Sequence, residues 1–174
     1  MSHAALSVVR SVFTIPKKED DWGRTNIFHT YTKIGDVSNK VSIDGGSCMN
    51  VVSKGAVTQM NLKPEPHPQP YKVAWVDNIS MSLTERCLVP VMLGAYQDHI
   101  WCDVLPMIVA HILLGRPWLY DQDMTYYGRA NTYVFQHKGK KIVLTPSPPR
   151  NARPSHSKES CPPIEQKKPL HVLN

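Results

Sequence analysis

Between Lys63 and Pro70 a proline stands at every second position, at Pro64, Pro66, Pro68 and Pro70, and this run limits the fold more than any other. Each proline fixes its own φ, lacks an amide donor and pushes the residue before it into extended backbone. The segment is expected to be an extended, non-helical connection that cannot serve a central ladder. The chain on either side of it reads as short strands. Asn26-Ile27-Phe28-His29-Thr30-Tyr31-Thr32 is rich in β-branched and aromatic residues, and Gly35-Asp36 supplies a turn before a second run. That run alternates polar Lys40 and Ser42 with apolar Val41 and Ile43, the period of a half-buried strand, and ends at Asp44.

The later segments follow the same logic. Residues 50–62 carry Val51, Val52, Val57, Met60 and Leu62 with Gly55 as the one breaker, which predicts a short helix beside the Asp44 loop. Tyr71 to Val76 and Ile79 to Leu83 flank Asp77-Asn78, a pair that tolerates positive φ, and predict a projecting hairpin. Residues 87–93 and 100–105 read as two further strands joined across 94–99. Ile112-Leu113-Leu114-Gly115-Arg116-Pro117-Trp118-Leu119 reads as an apolar strand, one glycine, and a helix with proline in its first turn. Tyr133-Val134-Phe135 and Ile142-Val143-Leu144 flank Gly139 as a last hairpin.

With 174 residues the chain has room for one domain of about 100–150 residues and tails. The expected division is an N-terminal arm over 1–25, a domain over 26–146 and a basic, proline-rich, disordered tail over 147–174. The formal charge of +6 is uneven: eight basic and two acidic side chains lie from Lys138 onward, so the rest balances. A solvated linker is the ordinary meaning of such a tail, and nucleic-acid binding is only weakly suggested, because no aromatic residues are interleaved after Arg150. Cys48, Cys87, Cys102 and Cys161 show no C-x-x-C spacing, so neither a zinc site nor a disulfide framework is indicated, and buried reduced thiols are expected. No metal or cofactor is called for. No apolar run is long enough to span a membrane, and the N-terminal apolar stretch is broken by Arg10, so a cytoplasmic chain without membrane contact is expected.

Asp44 is the one carboxylate with a distinctive setting, entering Gly45-Gly46-Ser47 directly from a strand. Bare glycine amides can point at its oxygens there, which suits either a reactive carboxylate or an ordinary turn. Asp98, Asp103, Asp121 and Asp123 read as surface or strand-end groups. His111 reads as a satisfied, partly buried histidine, and Trp101 and Trp118 as packing residues.

Taken together, Asp44-Gly45-Gly46-Ser47, a downstream hairpin and Leu113-Leu114-Gly115 feeding a helix resemble the retropepsin-like aspartic proteases. More narrowly, residues 24–30, 43–50, 70–78, 101–104 and 111–118 resemble, in order, the protease segment of plant gypsy-type long-terminal-repeat retrotransposon polyproteins. The likeness extends from about residue 8 to residue 146.

The resemblance implies an all-β fold with one or two short helices, a retropepsin-like closed acid-protease barrel in a single domain. It implies an aspartic endopeptidase that hydrolyses its own polyprotein. A single motif per chain implies a homodimer in which Asp44 of each copy meets the other and the pair activates a water. It places Gly45, Gly46 and Ser47 in the active-site loop, with the Ser47 hydroxyl available to the Asp44 carboxylate. Trp75, Val76, Asp77, Asn78 and Ile79 become the flap over a peptide substrate, and Leu113, Leu114 and Gly115 the support behind the site. Gly45 departs from the usual Ser or Thr after the aspartate and has no hydroxyl to bond across a dimer, which implies a weaker lock. The alternative is an inactive protease-like remnant serving as a dimerising or peptide-binding module.

Overall fold

A computed structural model describes Arg24, residues 26–74 and residues 80–148. The expected flap tip at Trp75 to Ile79, nearly all of the N-terminal arm and the tail beyond Pro148 lie outside the described residues. Among the described residues, ten strands and two short helices follow one another as β1 (His29–Ile34), β2 (Val37–Ile43), β3 (Val51–Ser53), α1 (Lys54–Gln59), β4 (Glu65–Ala74), β5 (Ser80–Leu93), β6 (Tyr96–Leu105), β7 (Ile112–Leu114), α2 (Arg116–Asp121), β8 (Thr125–Tyr127), β9 (Thr132–His137) and β10 (Lys140–Leu144). The fold is mostly β, as expected.

A seven-stranded sheet runs β1-β2-β7-β3-β6-β5-β4, and a second sheet runs β10-β9-β8. The large sheet curls on itself, for Thr32 Oγ1 of β1 accepts from the Met92 amide of β5, five places away in the order. The β1–β2 hairpin closes on Gly35-Asp36 with Ile34 opposite Val37, and the last hairpin closes on Lys138 and Gly139, both at positive φ of 49° and 75°. Positive φ at both central residues matches the right-handed twist of the flanking strands. At the other end of that hairpin the Ser147 amide reaches the His29 carbonyl at 2.8 Å.

Proline at alternate positions gives an extended strand rather than a bare connection. β4 occupies the sheet's edge, where missing donors are harmless, and its pairing with β5 is interrupted between Pro66 and Tyr71. Three other expectations change. Val51 and Val52 are not helical: they form β3, wedged between β6 and β7 and almost fully buried, a setting that suits β-branched side chains. The helix starts only after Ser53, whose hydroxyl accepts from the Ala56 amide at 3.1 Å. β5 is one strand of 14 residues, and its link to β6 is only Gly94-Ala95, because Tyr96 is drawn fully into the core. β8 has no counterpart among the expected strands.

The main core gathers Val41, Ile43, Val52, Ile112, Leu114 and the aromatic group Tyr96, Trp118 and Phe135. Those three rings meet edge to face with centroids 5.1–5.9 Å apart, and the Trp118 indole N–H donates to the Tyr96 hydroxyl at 3.0 Å, so the buried polar tips are satisfied. Trp101, in contrast, is 43% exposed, with the Arg86 guanidinium 4.0 Å above its ring. His111 is satisfied as expected, accepting from the Lys40 amide at 2.8 Å. Among the described residues, no helix is long and apolar enough to cross a membrane.

Candidate active site

The two strands that flank the Asp44 loop do not pair with each other. β7 lies between them, parallel to β2 and antiparallel to β3. The chain thus leaves the sheet at Ile43, turns through Asp44 to Asn50 and re-enters on the far side of β7. This fixes the loop at both ends while leaving its tip free. Four backbone bonds hold it: the Asp44 amide to the Leu114 carbonyl at 3.0 Å, the Ser47 amide to the Asp44 carbonyl at 3.1 Å, the Arg116 amide to the Ser47 carbonyl at 2.7 Å, and the Asp103 amide to the Asn50 carbonyl at 2.8 Å. At the tip the Gly46 amide donates to Asp44 Oδ1 at 2.9 Å. Asp44 is half-buried, while Gly45 and Gly46 are exposed. The carboxylate is therefore oriented by the loop and open to whatever approaches it.

Support comes from behind. The Gly115 amide donates to Asn50 Oδ1 at 2.9 Å, and a Cβ on Gly115 would stand 2.1 Å from the Met49 carbonyl oxygen and 2.8 Å from that of Ser47. Only glycine lets the two backbones approach this closely. Leu114 is fully buried, and half-buried Leu113 packs against a second core of Met49, Val51, Val73, Leu83 and Leu105. Gly115 thus packs against the backbone of the Asp44 loop, with Leu113 and Leu114 on the strand that leads into it. Ser47 does not behave as expected: its hydroxyl donates to the Met49 carbonyl at 3.0 Å and stays within its own turn. Cys48 also differs, being exposed at the loop's end, whereas Cys87 and Cys102 are buried.

Beside the loop lies a polar cluster that the sequence conceals. The Tyr71 hydroxyl of β4 donates to Asp103 Oδ2 of β6 and reaches the Met49 sulfur at 3.8 Å. His67 Nε2 lies 3.2 Å from Asp103 Oδ1. Asp103 is therefore not a surface group: its side chain is 17% exposed and receives donors from both sides of the Pro66–Tyr71 irregularity. Burial first, and then the Asp103 bond and charge, push the Tyr71 hydroxyl above its ordinary range. No local signal marks this cluster, because the bulge that brings His67 and Tyr71 to one carboxylate exists only in the folded pairing. Removing the Tyr71 hydroxyl in Tyr71→Phe is expected to cost about 1–2 kcal/mol; urea denaturation with an unchanged slope would check it.

On the other flank, Leu119 of α2 lies 3.4 Å from where a Cβ on Gly45 would stand. Tyr133 of β9 packs edge to face on Phe28 at 5.0 Å. Burial, then the neighbouring Tyr126, then the Asp44 charge push the Tyr133 hydroxyl up to about 12. Both sheets thus converge on the loop. Among the described residues no cluster of three or more histidine, cysteine or acidic side chains could hold a metal ion.

No protein-family model matches the chain, and no curated protein matches it. Among solved structures, the retroviral protease-like domain of Ddi1 from Leishmania major matches with a TM-score of 0.50 at 14% identity, covering 74% of this chain and 99% of that one. A Legionella pneumophila protein of unknown function aligns at a TM-score of 0.32 and 14% identity, covering 54% of this chain and 84% of that one, too low a score to bear on the fold. At these identities a likeness speaks to fold alone. The conclusion these findings permit is that this chain, mostly β with two short helices among the described residues, shares the fold of a retroviral protease-like domain.

Proposed function

We propose that this chain is an aspartic endopeptidase that acts as a homodimer, the protease segment of a plant gypsy-type retrotransposon polyprotein, with that polyprotein as its peptide substrate. The observation that carries the reading is Asp44 itself: a carboxylate presented on an exposed Gly45-Gly46 tip, oriented by the Gly46 amide and held from behind by Gly115. The narrower assignment to a retrotransposon rests on the five ordered sequence segments. One carboxylate per chain is half of a site. On a twofold axis Asp44 would meet its own copy, and two carboxylates about 3 Å apart cannot both ionise. One then takes a proton from water as its oxygen attacks the scissile carbonyl, and the protonated one donates to the carbonyl oxygen.

The β4–β5 hairpin leaves the sheet beside this loop, its last described pair being Ala74 opposite Ser80. Trp75 to Ile79 at its end are proposed to cover the substrate. Gly45 is the weak point of the pairing. A side chain there meets only the Leu119 methyl at 3.4 Å, so Gly45→Ser is expected to fold normally. By supplying a hydroxyl able to bond across the axis it should tighten the dimer by about tenfold, the worth of one added hydrogen bond, read by sedimentation across a dilution series.

The test is incubation of the purified chain with a peptide library at mildly acidic pH, beside Asp44→Asn and a statine-type inhibitor. Cleavage lost in the variant and blocked by the inhibitor supports the reading. Equal residual cleavage by both proteins would sink it. A chain that dimerises yet cleaves nothing would be the inactive remnant.

A further inference from the structure

β4 lies at the edge of the large sheet and loses its ladder midway. Its pairing with β5 steps from Pro66 opposite Glu85 to Tyr71 opposite Leu83, so residues 67–70 face Thr84 alone. Pro68 and Pro70 have no amide to offer, and the Gln69 amide turns back to His67 Nδ1 at 3.0 Å. Backbone pairing therefore does not fix how the two halves of β4 stand to each other. Three side chains do. Because the Gln69 N–H is a donor, Nδ1 of His67 accepts, and Nε2 carries the hydrogen that faces Asp103 Oδ1 at 3.2 Å. Beyond the gap the Tyr71 hydroxyl donates to the other oxygen of the same carboxylate. Arg86, the cross-strand neighbour of Asp103, is engaged with Glu65 at 2.6 Å and lies above the Trp101 ring.

The backbone of Asp103 belongs to the Asp44 loop's support. Its amide donates to the Asn50 carbonyl at 2.8 Å, and Asn50 Oδ1 in turn accepts from the Gly115 amide at 2.9 Å. The Tyr71 hydroxyl also reaches the Met49 sulfur in the loop at 3.8 Å. Past Tyr71 the β4–β5 ladder resumes, and fully buried Val73 and Leu83 pack with Met49, Val51 and Leu105. The described stem of the hairpin and the far end of the Asp44 loop thus share one carboxylate. A regular ladder would tie β4 to β5 alone. The gap instead ties it, across β5, to the strand that anchors the loop.

We propose that Asp103, Tyr71 and His67 are positioning residues that set the stem of the β4–β5 hairpin against the Asp44 loop, so that a peptide held between the two meets both in one geometry. This role rests on the aspartic endopeptidase reading and adds to it the groups that keep its two sides in place. None of the three touches the reacting atoms. Asp44 keeps its own bonds to the Leu114 carbonyl and the Gly46 amide, and neither involves Asp103. Loss of the brace therefore displaces the hairpin side and leaves the carboxylate oriented. Its cost falls on peptide binding, read in KM, more than on kcat.

The test is steady-state kinetics on a cleaved peptide beside residue-level hydrogen exchange, both on the full chain at a temperature where melting curves show each variant folded. Tyr71→Phe and Asp103→Ala are each expected to raise KM by about tenfold or more while kcat stays within about threefold. Asp103→Asn keeps an oxygen for His67 and gains an amide that the Tyr71 hydroxyl can accept from, so both constants should stay within about threefold of wild type. Adding Tyr71→Phe to Asp103→Ala should raise KM no further, because the two act through one contact. In exchange, Tyr71→Phe is expected to speed the Asp103 and Gly115 amides by about fivefold or more and to leave the β9–β10 hairpin unchanged. Tyr71→Phe removes a single oxygen and carries the test where Asp103→Ala does not fold. An unchanged KM, a loss confined to kcat, or Asp103→Asn as damaging as Asp103→Ala would overturn the assignment. Cleavage that ignores Asp44→Asn, or no cleavage at all, would discard the protease reading and leave the brace to exchange alone: faster Asp103 and Gly115 amides keep it, while no change there, or an equal change in every strand, overturns it.

Discussion

Asp44→Asn is expected to lower peptide hydrolysis by about a thousandfold or more, in line with the loss of a positioned acid–base pair, while thermal stability changes little. The two effects separate because of how the loop is built. Asp44 Oδ1 accepts from the Gly46 amide, and an asparagine carbonyl oxygen accepts the same bond. The backbone anchors at Leu114, Asp44 and Ser47 do not involve the side chain. What disappears is the capacity to take and hold a proton. Initial rates on a cleaved peptide, with melting temperatures measured beside them, check both halves. Unchanged rates would return Asp44 to the role of a turn carboxylate.

Gly115→Ala carries the largest expected cost in stability, about 3 kcal/mol or more. Its Cβ would stand 2.1 Å from one backbone carbonyl oxygen and 2.8 Å from another. Backbone cannot rotate away as a flexible side chain can, so β7 must move off the loop. That movement strains three features at once: the Gly115–Asn50 bond, the Arg116–Ser47 bond and the Asp44–Leu114 bond. Chemical denaturation is expected to show a lower midpoint, and hydrogen exchange at the Asp44 and Arg116 amides a loss of protection. A substitution of similar size at Gly45, where the neighbour is one leucine methyl, should be nearly silent in the same assay. If the two positions behave alike, the close approach behind the loop is not what holds it.

Much of this arrangement was legible in the residues. The alternation through Val41 and Ile43, the turns at Gly35-Asp36 and Gly139, and the Ile112 to Gly115 run followed by Pro117 name strands β1, β2, β7, β9 and β10 and helix α2, because each is a local preference. Reading Val51 and Val52 as helix failed because their burial between two strands is a tertiary fact. β8 went unseen because three exposed residues have no periodicity to detect, and its strand character comes from pairing with β9. Asp103 was misjudged for a related reason. A single carboxylate in an alternating strand gives no hint that a bulge 30 residues earlier will deliver a tyrosine and a histidine to it.

The sequence by itself determined where the chain turns, which faces of its strands are apolar, and that one carboxylate enters a glycine loop straight from a strand. Those are properties of φ preferences and of the two-residue period. Only the tertiary structure decided that β7 passes between the strands on either side of Asp44, and that Gly115 must be glycine because two carbonyls stand against it. Each depends on segments about 70 residues apart being brought into van der Waals contact, and no local preference encodes that distance.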